Sequence, residues 1–175
     1  MALYKVLNSA SAAAASPVKQ PTGTGIRTML QLLHATQGMQ VVEWGCSFDG
    51  FAAALPVEVE LCTTGTVAAT MSTAFVANDV TIFDGPADAN VASAGGLTLT
   101  TSGSGFATAA VTEGTVAAPV RSGDYQLVAP TNQYLKQFPL GQEFYVPATH
   151  CLRVRMTAGT TVNAIIYVVF KIGGD

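Results

Sequence analysis

Charged residues are scarce in this sequence. Asp, Glu, Lys and Arg make up 11% of its 175 residues, whereas they form about a quarter of an ordinary soluble domain. Since 49% of the residues are hydrophobic, the surface must be covered mainly by Thr, Ser, Gly, Ala and Gln. Such a surface is easily desolvated on contact with another protein, because few hydrated charges have to be stripped. The composition therefore favours a chain that works inside an assembly.

Basic clusters and long apolar runs are also missing. The net charge is -3 and Lys and Arg are not clustered, so no nucleic-acid partner is expected. The longest purely apolar run, Ala164 to Phe170, is far shorter than the ~20 residues of a transmembrane helix, so no membrane partner is expected. The N-terminus lacks the apolar stretch of a secretory signal, which predicts a chain made in a cytoplasm.

Cysteine is rare, and its number is odd. Cys46, Cys62 and Cys151 are widely spaced along the chain. This arrangement predicts reduced, buried thiols rather than a disulfide framework, with Cys46 beside Trp44. The closely spaced Cys and His pairs of a zinc site are absent from the sequence. No metal and no cofactor are therefore expected.

The groups required for catalysis are few. The two histidines, His34 and His150, are predicted to lie at a strand end and in a turn. No nucleophile with a base and no metal cluster can be assembled from the sequence pattern. No catalytic residue is identified, and the chain is predicted not to be an enzyme.

Two acidic residues superficially resemble a catalytic carboxylate pair. Glu58 and Glu60 have the spacing of neighbours on one face of a strand. Arg153 and Arg155 have the matching alternation, so we interpret the four residues as a cross-strand charge ladder on an outward face. Glu43 is a possible third acid of this ladder.

The dominant positive feature is alternation of apolar and polar residues with a period of two. About eight to ten short strands, with turn residues between them and no convincing helix, predict an all-β fold, an antiparallel β-sandwich of jelly-roll-like type. An immunoglobulin-type sandwich is the alternative, but Trp44 precedes Cys46 on the same strand, against the Cys, Trp, Cys order of that fold. The predicted inward positions include Ile26, Leu30, Leu32, Gln40, Val42, Trp44, Cys46, Phe48, Val57, Val59 and Leu61.

Residues 1–25 are interpreted as an extended N-terminal arm and linker, and residues 26–175 as the β-sandwich domain. Ala, Ser, Pro, Thr and Gly dominate the stretch after residue 8. The tip of the arm is apolar and predicted to bind a partner by adding a strand to its sheet, through Leu3, Tyr4, Val6 and Leu7. A disordered tail is the alternative.

The last predicted strand, residues 160–172, is apolar on both faces. Val162, Ala164, Ile166, Val168 and Phe170 share one face. Only one face of a strand can meet the core of a single sandwich. The second face must therefore be covered by another segment of the chain or by another subunit, and we predict a subunit interface of a homo-oligomer, formed by Ile165, Tyr167 and Val169.

Aromatic residues suggest an alternative function. Trp44, Phe48 and Phe51 could form a platform on which sugars stack, although the shared parity of Trp44 and Phe48 with Cys46 favours core packing. A glycan-binding adhesion module on a virion or cell surface is therefore an alternative. A self-assembling major structural subunit is another.

Three stretches resemble a known family. They are MALYKVLNSA at the start, VVEWGCSFDGFAAALPVEVEL at 41–61 and QLVAPTNQYLKQFPLGQEFYVPATHCLRVRMTAG at 126–159. These stretches resemble the small head-decoration, or cement, proteins and virion structural proteins of tailed bacteriophages of the actinobacteriophage type. The resemblance covers most of the chain outside its middle, and it concerns a fold pattern rather than a site.

The resemblance implies a capsid decoration protein on the surface of the virion, made in the host cytoplasm. Proteins of this kind are commonly jelly rolls or related β folds, often trimeric, that grip their neighbours with an N-terminal arm. The resemblance therefore implies a homotrimer whose partner is the major capsid protein lattice. Binding to the assembled lattice would stabilise the head.

Overall fold

A computed structural model describes residues 2–11, 16–52, 54–83, 96–115 and 121–173. Within these residues the chain is nearly all β, as the sequence predicts. Its strands form two antiparallel sheets, called sheet I and sheet II, that pack face to face as a sandwich.

The strands are numbered in chain order. In the described residues, sheet I contains β1 (Leu3–Leu7), β2 (Gln20–Pro21), β4 (Met39–Asp49), β7 (Thr81–Ile82), β10 (Gln133–Gln137), β11 (Phe144–Val146) and β13 (Asn163–Ile172). Sheet II contains β3 (Gly25–Leu33), β5 (Val57–Thr63), β6 (Thr73–Ala74), β8 (Gly105–Phe106), β9 (Arg121–Val128) and β12 (Cys151–Ala158). A short 3₁₀ turn spans Ala77–Asp79.

The order of the long strands is that of a jelly roll. Sheet I has the order β10-β4-β13-β1-β7, and sheet II has the order β6-β8-β3-β12-β5-β9. β1 therefore pairs with β13, β3 with β12, β4 with β10 and β5 with β9. These pairs correspond to one long hairpin rolled into two sheets, which is the jelly-roll arrangement. The predicted jelly roll is therefore confirmed, and the alternative of an immunoglobulin-type sandwich is wrong.

The core lies between the two sheets. Val57, Val59 and Leu61 of β5 point into it, as the alternation predicts. At one side of the sandwich, Trp44 and Tyr134 donate hydrogen bonds to the same carboxylate oxygen of Asp124, at 3.2 and 2.7 Å. The two aromatic side chains are thereby tied to the edge strand β9 of the opposite sheet.

A β-bulge reverses the predicted parity at the start of β3. The pairing of β3 with β12 shifts between Val154 and Arg155. Because one extra residue turns every preceding side chain to the other face, Ile26 lies opposite Thr157 on the outer side of sheet II. Ile26 is 53% exposed, and its predicted core position is wrong.

A second bulge has the same effect in β4. The pairing of β4 with β13 shifts between Val169 and Phe170. Met39 and Val41 consequently fill the core positions that alternation assigns to Gln40 and Val42. Trp44, Cys46 and Phe48 lie beyond the bulge and point inward as predicted.

β1 and β2 follow one line beside β13, and Asn8 closes the gap between them. β2 resumes the line of β1 with Gln20 opposite Ala164. The Asn8 side chain accepts the N–H of Ile166 at 2.8 Å and donates to the C=O of Ala164 at 3.1 Å. These two hydrogen bonds are the ones that a peptide group of a paired strand would make with β13. Asn8 is fully buried, so its side-chain amide supplies partners that water could not.

The predicted arm therefore contributes two strands to sheet I. β1 is the first strand of the jelly roll, so residues on both sides of the predicted boundary at residue 25 contribute strands to sheet I. Beyond β1, the N–H of Ser11 donates to Asp79 at 2.6 Å, which fastens the chain to the 3₁₀ turn. The apolar side chains of β1 contact this chain's own β13. Binding of the arm to a neighbouring subunit stays a prediction.

Replacing Asn8 by Ala should lower the free energy of unfolding by about 2–4 kcal/mol, because two buried backbone groups lose their partners at about 1–3 kcal/mol each. Urea unfolding followed by circular dichroism measures this change. The control Asn132→Ala removes an exposed amide and should change the free energy by less than about 0.5 kcal/mol. Equal transition midpoints for the two variants would contradict the role of Asn8.

Candidate functional site

The outward side chains of adjacent strands in sheet I form a common surface. Inward residues of β13 such as Ile166 and Val168 are in the core, so the residues between them point outward. We call this surface the sheet I face. It comprises Leu3, Lys5 and Leu7 of β1, Ile165, Tyr167 and Val169 of β13, Glu43, Gly45 and Ser47 of β4, and Gln133 and Leu135 of β10.

The sheet I face brings together residues that the sequence placed in two separate sites. The predicted subunit interface and part of the predicted arm lie side by side, since Leu7 is opposite Tyr167. Ile165 and Tyr167 are half-buried, whereas Val169 is only 2% exposed. Val169 is therefore covered within the chain, by its neighbours on this face.

Two of the predicted arm residues lie on the other side of the sheet. Val6 is 1% exposed and belongs to the core. The Tyr4 ring stacks on Phe170, with 5.8 Å between the ring centres. Leu3 and Leu7, by contrast, belong to the sheet I face.

Lys5 and Glu43 lie in the same row on the two strands that flank β13. Val169 lies directly between Lys5 of β1 and Glu43 of β4, and adjacent strands are about 4.8 Å apart. Tyr167 contacts both charged groups. Its hydroxyl donates to Glu43 at 2.7 Å, and its ring centre lies 4.9 Å from the Lys5 Nζ. Burial and the bond to Glu43 raise the pKa of Tyr167, so its hydroxyl stays a donor at neutral pH.

The ring of Tyr167 leans over Gly45. A Cβ at position 45 would lie 2.6 Å from Cε1 of Tyr167, so the ring needs a glycine beneath it. Beside the ring, Ile165 and Leu135 help to line a depression of about 140 Å³. Leu135 is 59% exposed, which makes this part of the face accessible to a partner.

The predicted sugar platform is divided between the core and the surface. Trp44 and Phe48 belong to the core, whereas Phe51 is 56% exposed. The core packing predicted for the first two is therefore confirmed. A depression of about 440 Å³ adjoins the sheet I face, and it is lined by Ser47, Phe48, Thr131, Asn132 and Gln133.

Part of the outer face of sheet II is covered by the chain itself, although Ile26 and Leu127 on the same face are exposed. Described residues between β5 and β9, including Ala69 and Gly103, supply this cover. The Gln31 side chain donates to the carbonyls of Ala69 and Gly103, at 3.2 and 2.8 Å, and accepts the N–H of Ala69 at 2.8 Å. Gln31 is fully buried, although it points away from the core.

Two arginines are buried beneath the same cover. Arg155 lies opposite Glu60, with 2.6 Å between the charged groups, so this rung of the predicted ladder is confirmed. Arg153 donates instead to the carbonyls of Glu113 and Val67, at 3.0 and 2.5 Å. Both arginines point outward from the sandwich, but neither is an exposed surface residue.

The environment of Arg153 shows why this arginine needs its partners. Burial lowers the pKa of its guanidinium, and the carboxylate of Glu113 at 3.4 Å opposes that shift. The other two acids of the predicted ladder, Glu58 and Glu43, pair with tyrosines rather than with the two arginines. A hydrogen bond to Glu58 raises the pKa of Tyr125, and Glu43 belongs to the sheet I face.

Removing the buried arginine should be far more damaging than removing an exposed lysine. Arg153→Ala should lower the free energy of unfolding by about 3–5 kcal/mol, because breaking a buried pair leaves uncompensated polar groups. Lys19 forms an exposed ion pair with Asp49, and Lys19→Ala should cost less than about 1 kcal/mol. Urea denaturation measures both changes, and equal losses would show that the cover does not depend on Arg153.

The three cysteines are free and buried, which confirms the prediction of reduced thiols. Burial raises the pKa of Cys46 to about 12. Burial, followed by the charge of Glu60, also raises the pKa of Cys62 to about 12. In the folded protein these two thiols are therefore protonated at neutral pH.

The thiols should make the protein less stable at alkaline pH. In the unfolded chain a cysteine loses its proton near pH 8.5, at roughly its unperturbed pKa. Above that pH the unfolded chain binds fewer protons than the folded one, so the stability present below pH ~8.5 is lost as the pH rises toward 12. Urea midpoints at about pH 8 and pH 11 should fall less in a Cys46→Ala/Cys62→Ala variant than in the parent. An equal fall would contradict this assignment.

The remaining features of the described residues concern metal binding, His34 and membrane crossing. Among the described residues, no three His, Cys, Asp or Glu side chains are grouped as a metal ion would require. His34 accepts the N–H groups of Thr36 and Gln37 at 3.2 and 2.9 Å, so it ends its strand and closes a turn as predicted. No helix in the described part of the chain is long and apolar enough to cross a membrane.

The sequence pattern missed six members of the sheet I face, namely Lys5, Glu43, Gly45, Ser47, Gln133 and Leu135. Alternation alone could have grouped Lys5 with Leu3 and Leu7. The register that places Lys5 level with Glu43 depends on β13, which is far away in the sequence. Comparison with protein-family models, curated proteins and solved structures finds no match for this chain.

Proposed function

We propose that this chain is a structural component of a virus coat, a capsid decoration protein that binds the assembled head lattice and stabilises it. Support comes from the resemblance to bacteriophage head-decoration proteins and from the low charge of the chain. The jelly roll is compatible with this role, since viral capsid proteins use it. Lectins and cupins use it too, so the fold by itself does not select the function.

Exposed apolar side chains on the outer faces of the sandwich are the observation that carries the proposal. On the outer face of sheet II the chain buries Gln31 with its own residues, but Ile26 and Leu127 are 53% and 66% exposed. On the side of sheet I, Leu135 and Phe83 are 59% and 56% exposed. A weakly charged face with accessible apolar side chains suits contact with other protein chains.

The proposed mechanism is binding linkage, without a chemical step. A protein that binds the assembled lattice but not its dissociated subunits stabilises the shell by RT ln(1 + [L]/Kd) per site, about 2.7 kcal/mol at a 100-fold excess over Kd. On this proposal the chain lies on the capsid surface of the virion and its partner is the major capsid protein. The trimer that the resemblance implies stays a prediction.

Cryo-electron microscopy of the particle that carries this chain tests the proposal. Jelly-roll density should repeat at equivalent positions of the head lattice. Purified chain should also bind assembled shells that lack it and raise the temperature at which they disrupt, while unassembled capsid subunits, the control, should not bind. Density confined to the tail, or equal binding to shells and subunits, would contradict a decoration role.

A further inference from the structure

We infer that the sheet I face binds a second copy of this chain around a two-fold axis that runs parallel to β13. The inference rests on the register of three strands and on the charges that they carry. It shares with the proposed function only the use of the sheet I face as a protein contact, and here the occupant of that face is a second copy of the chain. The two ideas fail in different experiments, since pairing is measured on the purified chain and decoration on the particle.

The charges of the face are complementary to themselves. Lys5 and Glu43 lie level with each other, one strand to either side of β13. A two-fold rotation about an axis above β13 exchanges the two sides of the face. It therefore places Lys5 of each copy over Glu43 of the other, and symmetry forms this pair twice.

The shapes on either side of β13 are complementary as well. In the next row, Leu7 and Gly45 flank Tyr167. The Tyr167 ring leans over Gly45, on the other side of β13 from Leu7, and the Lys5 Nζ lies 4.9 Å from the ring centre. The same rotation sets the ring of each copy on Leu7 of the other, where an aromatic face meets an aliphatic side chain.

Other ways of stacking two such faces are less favourable. An axis in the plane of the face but perpendicular to β13 would bring β1 over β1, and Lys5 near Lys5. The parallel axis brings Lys171 of each copy together, but Lys171 is paired with Glu143 at 2.8 Å within its own chain. This axis keeps the two copies of β13 parallel, and the contact centres on the row of Tyr167 because Val169 is only 2% exposed.

Light scattering after size-exclusion chromatography tests the pairing. The parent chain should have the mass of two chains at about 100 μM, well above a micromolar Kd. Lys5→Glu and Glu43→Lys should each weaken the dimer about tenfold or more, because each variant brings like charges together twice. Leu135→Asp, at an exposed position, should weaken it too.

Mixing the two charge variants separates pairing from a role inside one chain. In a dimer of Lys5→Glu with Glu43→Lys, both contacts again join opposite charges, one as Glu with Lys and the other as Lys with Glu. An equimolar mixture should therefore recover the parent mass. If a substitution disrupted the folding of its own chain, mixing the two variants would not restore the dimer.

Glu58→Lys is the matched control, since it reverses one acidic residue on the opposite sheet and should keep the mass of the parent. Thermal unfolding checks that every variant is folded. A parent chain with the mass of one chain would overturn the inference, and the mass of three chains would overturn it in favour of the trimer that the resemblance implies. It would also be overturned if the mixture failed to recover the dimer, or if Leu135→Asp had the same dimer affinity as the parent.

Discussion

The position of β13 between β1 and β4 is the constraint on which the rest of the structure depends. β13 pairs with β4 along nearly its whole length and with β1 and β2 on its other side. Its inward side chains, including Ile166, Val168 and Phe170, are fully buried in the core. Since β1 and β13 come from opposite ends of the chain, the jelly roll closes only when the two termini meet. Such non-local pairing favours slow folding.

Buried polar groups fasten the parts of the chain that the hydrophobic pattern leaves undefined. Asn8 completes the ladder of β13 where the chain leaves the sheet. Gln31 and Arg153 hold the segment between β5 and β9 against the outer face of sheet II. A buried donor or acceptor that loses its partner is costly in free energy. Each of these buried groups therefore favours the one backbone arrangement in which its hydrogen bonds are made.

The two outer faces of the sandwich differ in how much of each the chain itself covers. Described residues between β5 and β9 cover part of sheet II, whereas Ile26 and Leu127 of that sheet stay exposed. The sheet I face has an apolar row with Leu7, Tyr167 and Leu135, and a neighbouring row with opposite charges on Lys5 and Glu43. Apolar contact supplies affinity, and the placement of the charges selects orientation.

The alternation in the sequence determined the all-β class, the inward residues of β5 and the two apolar faces of β13. It could do so because a period of two records which side chains share a face within one strand. The tertiary structure alone decided the bulges that expose Ile26 and bury Val41, the pairing of β1 with its own chain and the burial of Arg153. Register and strand partners depend on contacts between distant segments, and one inserted residue reverses a face without changing the local pattern.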